Sequence, residues 1–429
     1  MSGGAAAETA VPLSEWWRRL RNPAFWMPLA DMFAVLTALA LPWSTSLVGI
    51  FTACWIGSAA LVVDYPAWFR SLKRPACALP LALFALAAAG TLWSQASWDA
   101  RIHAVGPALK LLFLPGLFHY FQRSSRGIWV FIAFLASCTL LMAVSWLVAF
   151  QPGLALPGVA PERGMFVKNY IDQSQEFALC AVALAYPIVM LWRERKTWLA
   201  ALLLAIAIGL LANMAFVIVS RTALVTMPLM LAAVAALHLK RRTSAVMFSA
   251  FAVLAAVSFA ASPPLRKTID RFVSDYREYR DSNAPTSIGL RLEFWRKSLQ
   301  FVGEAPIVGH GTGSTRMLFE RAVAKGDPQT SASANVIANP HNQTLGVAVQ
   351  WGVLGVVVLW AMWISHFLLF RGEGMVAAIG LLVVVQNILT SLFNSHIFDF
   401  HEGWMYVLGV GVAGGMAMRR QASGAGERE

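Results

Sequence analysis

The sequence predicts an all-α integral membrane protein, and three observations carry that prediction. The 429-residue chain is 58% hydrophobic and only 13% charged, about half the charged fraction of an ordinary soluble domain. Apolar runs of roughly 17–25 residues, each long enough to cross a bilayer, recur along its whole extent. A single long polar stretch, 263–341, interrupts them late in the chain.

Twelve such runs fall near 26–43, 46–63, 78–95, 105–122, 128–150, 174–192, 198–219, 221–239, 244–262, 342–370, 375–395 and 404–418. Inside lipid every backbone polar group must be satisfied within its own segment, so continuous runs of this length read as helices. The apolar stretch 198–239 divides at Ser220-Arg221 into two spans. The first run follows Trp16-Trp17-Arg18-Arg19 and lacks a small-residue cleavage site, so it reads as a span and not as a secretory leader.

The net charge of +12 raises the question of nucleic acid, and its distribution answers it. With twelve spans and both termini on one side, the segments on that side hold more than half of the 34 Lys and Arg. The short loops opposite hold only Arg101, Arg163, Lys168 and Arg221. Basic bias in short loops marks the cytoplasmic side. Both termini are therefore expected inside and the long loop outside, with no nucleic-acid partner. Cys54, Cys77, Cys138 and Cys180 lie in or beside spans, which excludes a disulfide framework in that loop.

The chain reads as one polytopic domain, 1–429, with 263–341 as a loop within it, too small to own a large core. Within the loop, "IGLRLEFWRKSLQFVGEAP" (288–306) predicts an amphipathic helix with Leu292, Trp295, Leu299 and Val302 on one face. A glycine-rich turn, "IVGHGTGS", follows it. That turn lacks the strand–turn–helix context of a nucleotide loop.

Ionisable groups at a membrane edge are costly and point to function. Arg221 stands alone in "VIVSRTALV". With Ser220 as cap, it and the free N–H groups of the helix that follows would suit a diphosphate; snorkelling to headgroups is the alternative. Arg291 opens the loop helix, while Arg296 and Lys297 read as a solvated basic face. "PERGMFVKNYIDQSQEFA" brings Arg163, Lys168 and Gln175 to the same outer surface, for substrate contact or for interfacial anchoring. In "NPHNQ", Asn339 is expected to cap the tenth span, with Pro340 first in the helix and His341 in its first turn. The helix dipole would there keep the imidazole neutral and able to accept a proton. "FNSHIFDFHEGW" (393–404) carries His396, Asp399, His401 and Glu402, but its spacing matches no standard ligand pair, and no metal is expected. It reads instead as an edge that meets an acceptor. Lys110, inside the fourth run, reads as structural, and His119, His238 and His366 as bland.

The ordered set "SRTALV", "GLRLEFWRKSLQFVGEAPIVGHGTGS" and "NPHNQTLGVAVQWGVLG" resembles the O-antigen ligase superfamily, which includes O-antigen polymerases and pilin oligosaccharyltransferases. The resemblance spans about 210–360, and the span plan extends it to the whole chain. It implies a C-type glycosyltransferase-like fold with about 12 transmembrane helices in a Gram-negative inner membrane, and an active site facing the periplasm. It implies an undecaprenyl-diphosphate-linked polysaccharide as donor, a lipid A-core sugar hydroxyl as acceptor, inversion at the anomeric carbon, and no metal, nucleotide or other cofactor. Carried over by motif, His341 is the base, and Arg221 and Arg291 bind the donor diphosphate. Arg163, Lys168 and Gln175 are matched by position and character only. The late long loop favours a lipopolysaccharide ligase over the polymerase and protein-transferring members. A lipid-linked glycan transporter is the alternative of another class. Lys110 and the proline-interrupted spans could line a path, but transporters usually place ionisable groups at the bilayer midplane within paired repeats; here most candidates sit at one edge and no repeat is visible.

Overall fold

The computed structural model describes residues 22–156, 164–167, 169–324 and 334–426. Helices account for nearly all of the regular structure. In chain order they are α1 Pro23–Ala40, α2 Thr45–Ala60, α3 Tyr65–Ser71, α4 Pro75–Ala89, α5 Trp98–Val105, α6 Phe113–Arg123, α7 Gly127–Phe150, α8 Tyr170–Ala183 and α9 Ala185–Arg193. There follow α10 Thr197–Phe216, α11 Arg221–His238, α12 Arg241–Ala261, α13 Pro263–Ser282, α14 Ser287–Glu304, α15 Thr315–Ala324, α16 Gln343–Leu369, α17 Met375–Thr390 and α18 Phe400–Gly426.

Each of the twelve apolar runs coincides with a helix or a short chain of helices. Among the described residues eight are long and apolar enough to cross a membrane, or nine if the bent pair α2–α3 is one span. Three runs fall short. At about 1.5 Å per residue, the 15-residue α4 and 16-residue α17 are shorter than the roughly 30 Å hydrocarbon layer, while the 27-residue α18 is long enough but opens on the polar pair His401-Glu402. The chain is a multi-pass, all-α membrane protein. Its outward surface agrees with that reading, since Ile50, Leu140, Leu147, Val253 and Val257 are all exposed, as lipid-facing side chains are. None of the described residues of α12 is buried.

Small residues let the helices approach. Cβ atoms added at Gly411 and Gly415 of α18 would meet Leu117 Cβ at 2.6 Å and Phe121 Cβ at 2.7 Å on α6. Without a hydrophobic drive between helices in lipid, such close packing and buried polar contacts hold a bundle together. Asp31 of α1 accepts from Tyr120 Oη at 2.9 Å and Ser124 Oγ at 2.6 Å. His366, fully buried, pairs with Tyr406 Oη at 2.6 Å and the Ala76 carbonyl at 2.9 Å, the structural part expected of it.

The loop between α12 and α16 folds as three helices, α13 to α15. The expected amphipathic helix forms as α14, started by Thr286, whose Oγ1 accepts from Gly289 N at 3.1 Å. Its packed face differs from the expected one. Phe294, Lys297, Ser298 and Phe301 are buried, while Leu299 is 61% exposed. Two phenylalanines pack edge-on against Phe319 of α15 and outcompete the Leu292–Trp295–Leu299–Val302 stripe for the interior.

The glycine-rich turn after α14 is built into α16. That helix breaks at Gly352, whose φ of 61° and ψ of −158° suit only glycine. In an unbroken helix, the amides of 353 and 354 would donate to the carbonyls of 349 and 350. Here Val353 N donates to Pro306 O at 2.8 Å and Leu354 N to Ile307 O at 3.3 Å. The freed carbonyls of Val349 and Gln350 accept from His310 N at 2.9 Å and Gly311 N at 2.8 Å. Irregular backbone at membrane depth is tolerated where protein satisfies it in this way.

Candidate active site

Asn342, and not Asn339, caps α16. Its Oδ1 accepts from Leu345 N at 3.0 Å, so the helix starts later than expected and His341 lies outside its first turn. The reason is local. Asn339 Oδ1 accepts from His341 N at 2.9 Å, a side-chain-closed turn across Pro340. That turn holds His341 at φ 54°, the left-handed conformation that non-glycine residues seldom adopt. The imidazole Nδ1 is 2.9 Å from Asn394 Oδ1, and the ring stacks on Phe294 of α14 with centroids 6.0 Å apart. Outside the first turn, the imidazole is not set against the positive end of the helix dipole as expected, and other forces act on it. Burial lowers the His341 pKa, the Asn394 bond opposes that, and the Arg291 charge lowers it further.

Arg291, one turn into α14, is half-buried and makes no hydrogen bond or ion pair among the described residues. Burial depresses its pKa, Tyr170 raises it, and the like charge of Arg221 depresses it again. Arg221, at the start of α11, donates from Nη1 to Asp275 Oδ2 of α13 at 2.7 Å. Both side chains are largely buried, and the guanidinium carbon lies 5.6 Å from the Phe272 ring centroid. Ser220 takes the cap position of α11 but makes no side-chain cap bond, contrary to expectation. An apolar cavity of about 550 Å³ opens beside Arg221. It lies among α10, α11, α12 and α13, lined by Met214, Leu254, Phe259, Ile269 and Phe272.

Arg163 and Lys168 lie outside the described residues. Gln175 is fully buried in α8, where Gln386 Nε2 of α17 donates to its main-chain carbonyl at 2.7 Å, so it joins two helices. From the same loop it is Asp172 that reaches the 393–404 segment, with His401 Nε2 at 3.7 Å.

Asn394 and Asp399 are the residues that sequence reasoning missed as partners of the histidine. Asn394 Nδ2 donates to Asp399 Oδ2 at 2.6 Å. Lys110 Nζ reaches the carbonyls of Phe398, at 3.2 Å, and of Asp399, which clamps this turn from the fourth run. Nothing in the spacing of these three joins them to "NPHNQ"; only the fold does. Burial raises the Asp399 pKa to about 6, with Asp172 raising it and Lys110 lowering it. Burial, Arg291 and His341 together push His396 down to about 3.

Ligand atoms of His396, Asp399 and Glu402 lie within 4.8 Å of one another, a set that could grip a divalent ion. The Lys110 ammonium already acts electrostatically on both carboxylates. A cation is thus supplied from within the chain.

The chemistry available is specific. Two arginines and a neutral histidine meet near the N-termini of α8, α11, α16 and α18, whose positive dipole ends favour an anion. Residues 206–361, which include Arg221, Arg291 and His341, match a family model described as O-antigen ligase. No curated protein matches the chain.

Proposed function

Because residues 206–361 match the O-antigen ligase family model, we propose that the chain is a member of that family and passes a polysaccharide from undecaprenyl diphosphate to a sugar hydroxyl of lipid A-core. The observation that carries this reading is the neighbourhood of Arg291, Arg221 and His341. A half-buried guanidinium, without an anion beside it among the described residues, stands within the field of a second arginine and of a histidine whose pKa is lowered. A diphosphate leaving group spreads its charge over several oxygens, and arginine pairs with it in bidentate fashion. The apolar cavity beside Arg221 suits the polyprenyl chain of such a donor.

In the proposed step the acceptor oxygen attacks the anomeric carbon as His341 Nε2 takes its proton. The bond from that carbon to the diphosphate oxygen breaks, and undecaprenyl diphosphate leaves between the arginines. Attack opposite the leaving group inverts the anomeric centre. Charge is balanced by the chain's own cations, so EDTA is expected to leave turnover unchanged. Loss of turnover restored by a divalent ion would instead assign the His396–Asp399–Glu402 cluster to the reaction.

The reading includes a C-type fold of twelve crossings in an inner membrane, both termini cytoplasmic and the site periplasmic. Cysteine placed at Ser287 should react with an impermeant thiol reagent from the periplasmic side, and cysteine at Thr243 should not. Reversed labelling overturns the orientation.

Polymerase and pilin-transferring members share the histidine motif, so the acceptor decides among them. Purified protein is mixed with lipid-linked polymer and either lipid A-core or pilin, without nucleotide or metal. Transfer to lipid A-core supports the ligase, and transfer to pilin the protein-modifying alternative. Proton-coupled glycan transport without transfer would replace both.

A further inference from the structure

We infer that Asn394 is a positioning residue that holds the His341 ring in the tautomer protonated at Nδ1, so that Nε2 is the basic nitrogen, with Asp399 orienting the Asn394 amide. What that base does rests on the transfer reading above; the tautomer itself does not.

A backbone N–H only donates. His341 N–H points at the Asn339 side chain at 2.9 Å, so the atom facing it must be the amide oxygen. Ser395 Oγ, 2.7 Å from the same oxygen, donates to it as well. The other end of the Asn339 amide is then the NH2 group, which faces Asn394 at 2.9 Å. An NH2 group needs an acceptor, so the facing atom is Asn394 Oδ1. The same oxygen lies 2.9 Å from His341 Nδ1, which must therefore carry the proton. In a neutral imidazole this leaves the lone pair on Nε2.

The far end of the network agrees independently. Asn394 Nδ2 lies 2.6 Å from Asp399 Oδ2, an acceptor. Phe398 N and Asp399 N donate to Ser395 O at 2.9 and 3.1 Å, and Lys110 holds the carbonyls of the same two residues. Rotating the Asn394 amide would set NH2 against the Asn339 NH2 and oxygen against the Asp399 carboxylate, breaking two bonds at once. The device resembles in logic the carboxylate that fixes a catalytic histidine's tautomer in hydrolases, with an amide inserted between the two.

The inference is tested on the full-length protein in nanodiscs, with nitrogen-15 histidine and the His341 signals assigned by their loss in His341→Gln. Above the titration, His341 should show a protonated Nδ1 and an unprotonated Nε2. Asn394→Leu should lose that preference and lower kcat by on the order of 10²-fold or more while the KM for donor stays unchanged. Asn394→Asp still offers an oxygen to Nδ1–H and should restore most of kcat. Its added negative charge, beside Arg291, His396 and Asp399, should move the acid limb of the kcat profile to higher pH. A wild-type Nε2–H tautomer, full kcat in Asn394→Leu, or equal kcat in the Leu and Asp variants overturns the inference. If wild-type protein transfers no glycan at all, the functional reading fails, and the nitrogen spectrum still decides the tautomer.

Discussion

His341→Gln and His341→Asn should lose transfer by about 10²–10⁴-fold, the range that general-base help supplies, while still folding and binding the lipid-linked donor. Both replacements keep a polar side chain at the turn, and asparagine also tolerates the left-handed backbone at φ 54°. A histidine that served only to close the turn would tolerate them. Purified variants assayed with excess donor and acceptor separate the two cases, and near-wild-type turnover removes His341 from the mechanism. The pH dependence has a definite sign. Burial and Arg291 lower the folded pKa, with the Asn394 bond opposing them, so the ring takes up its proton at a lower pH than an ordinary histidine. Turnover should persist as pH falls below about 6.5, the usual histidine value, and fail only lower, once the imidazole protonates.

Arg291→Ala and Arg221→Ala should each reduce transfer by about 10²–10³-fold, the usual cost of removing one donor aimed at developing charge. The two losses should differ in kind. Arg291 has no anionic partner among the described residues, so its removal should spare stability. Arg221 pairs with Asp275 at 2.7 Å, and that carboxylate, with 13% of its side chain exposed, would be left without its counter-charge. Arg221→Ala should therefore also lower thermal stability, and adding Asp275→Asn should recover stability without recovering transfer. Lysine should rescue either position poorly, since a point charge cannot reproduce a planar fork. Wild-type turnover in both alanine variants would leave the arginines as headgroup anchors.

Much of this was legible because lipid simplifies the code. Each apolar run became helix, since nothing else satisfies its backbone. Arg221 and His341 stood out as costly groups at edges and Arg291 only through the family resemblance; the fold gathers all three within electrostatic reach. What stayed hidden depended on competition between residues of one type. Asn339 and Asn342 are both good caps, and only Pro340 with the closed turn before it gives the role to Asn342. On α14, two apolar stripes were available, and Phe319 of α15 selected the one bearing Phe294 and Phe301. Asn394 and Lys110 reach the site through contacts between segments distant along the chain, for which no local pattern exists.

The break in α16 has a mechanical consequence. His341 stands just before the N-terminal end of that helix, and Arg291 stands on the helix that leads into residues 306–311. Four main-chain bonds splice the two together around Gly352. Hydrogen bonds that belong to both partners cannot be lost by one alone. A fluctuation that peels the outer segment away must also unzip the middle of a membrane helix, and one that melts the helix must release the segment. The spacing between guanidinium and imidazole is thus protected by a single cooperative opening, in place of the separate fraying that surface loops ordinarily undergo.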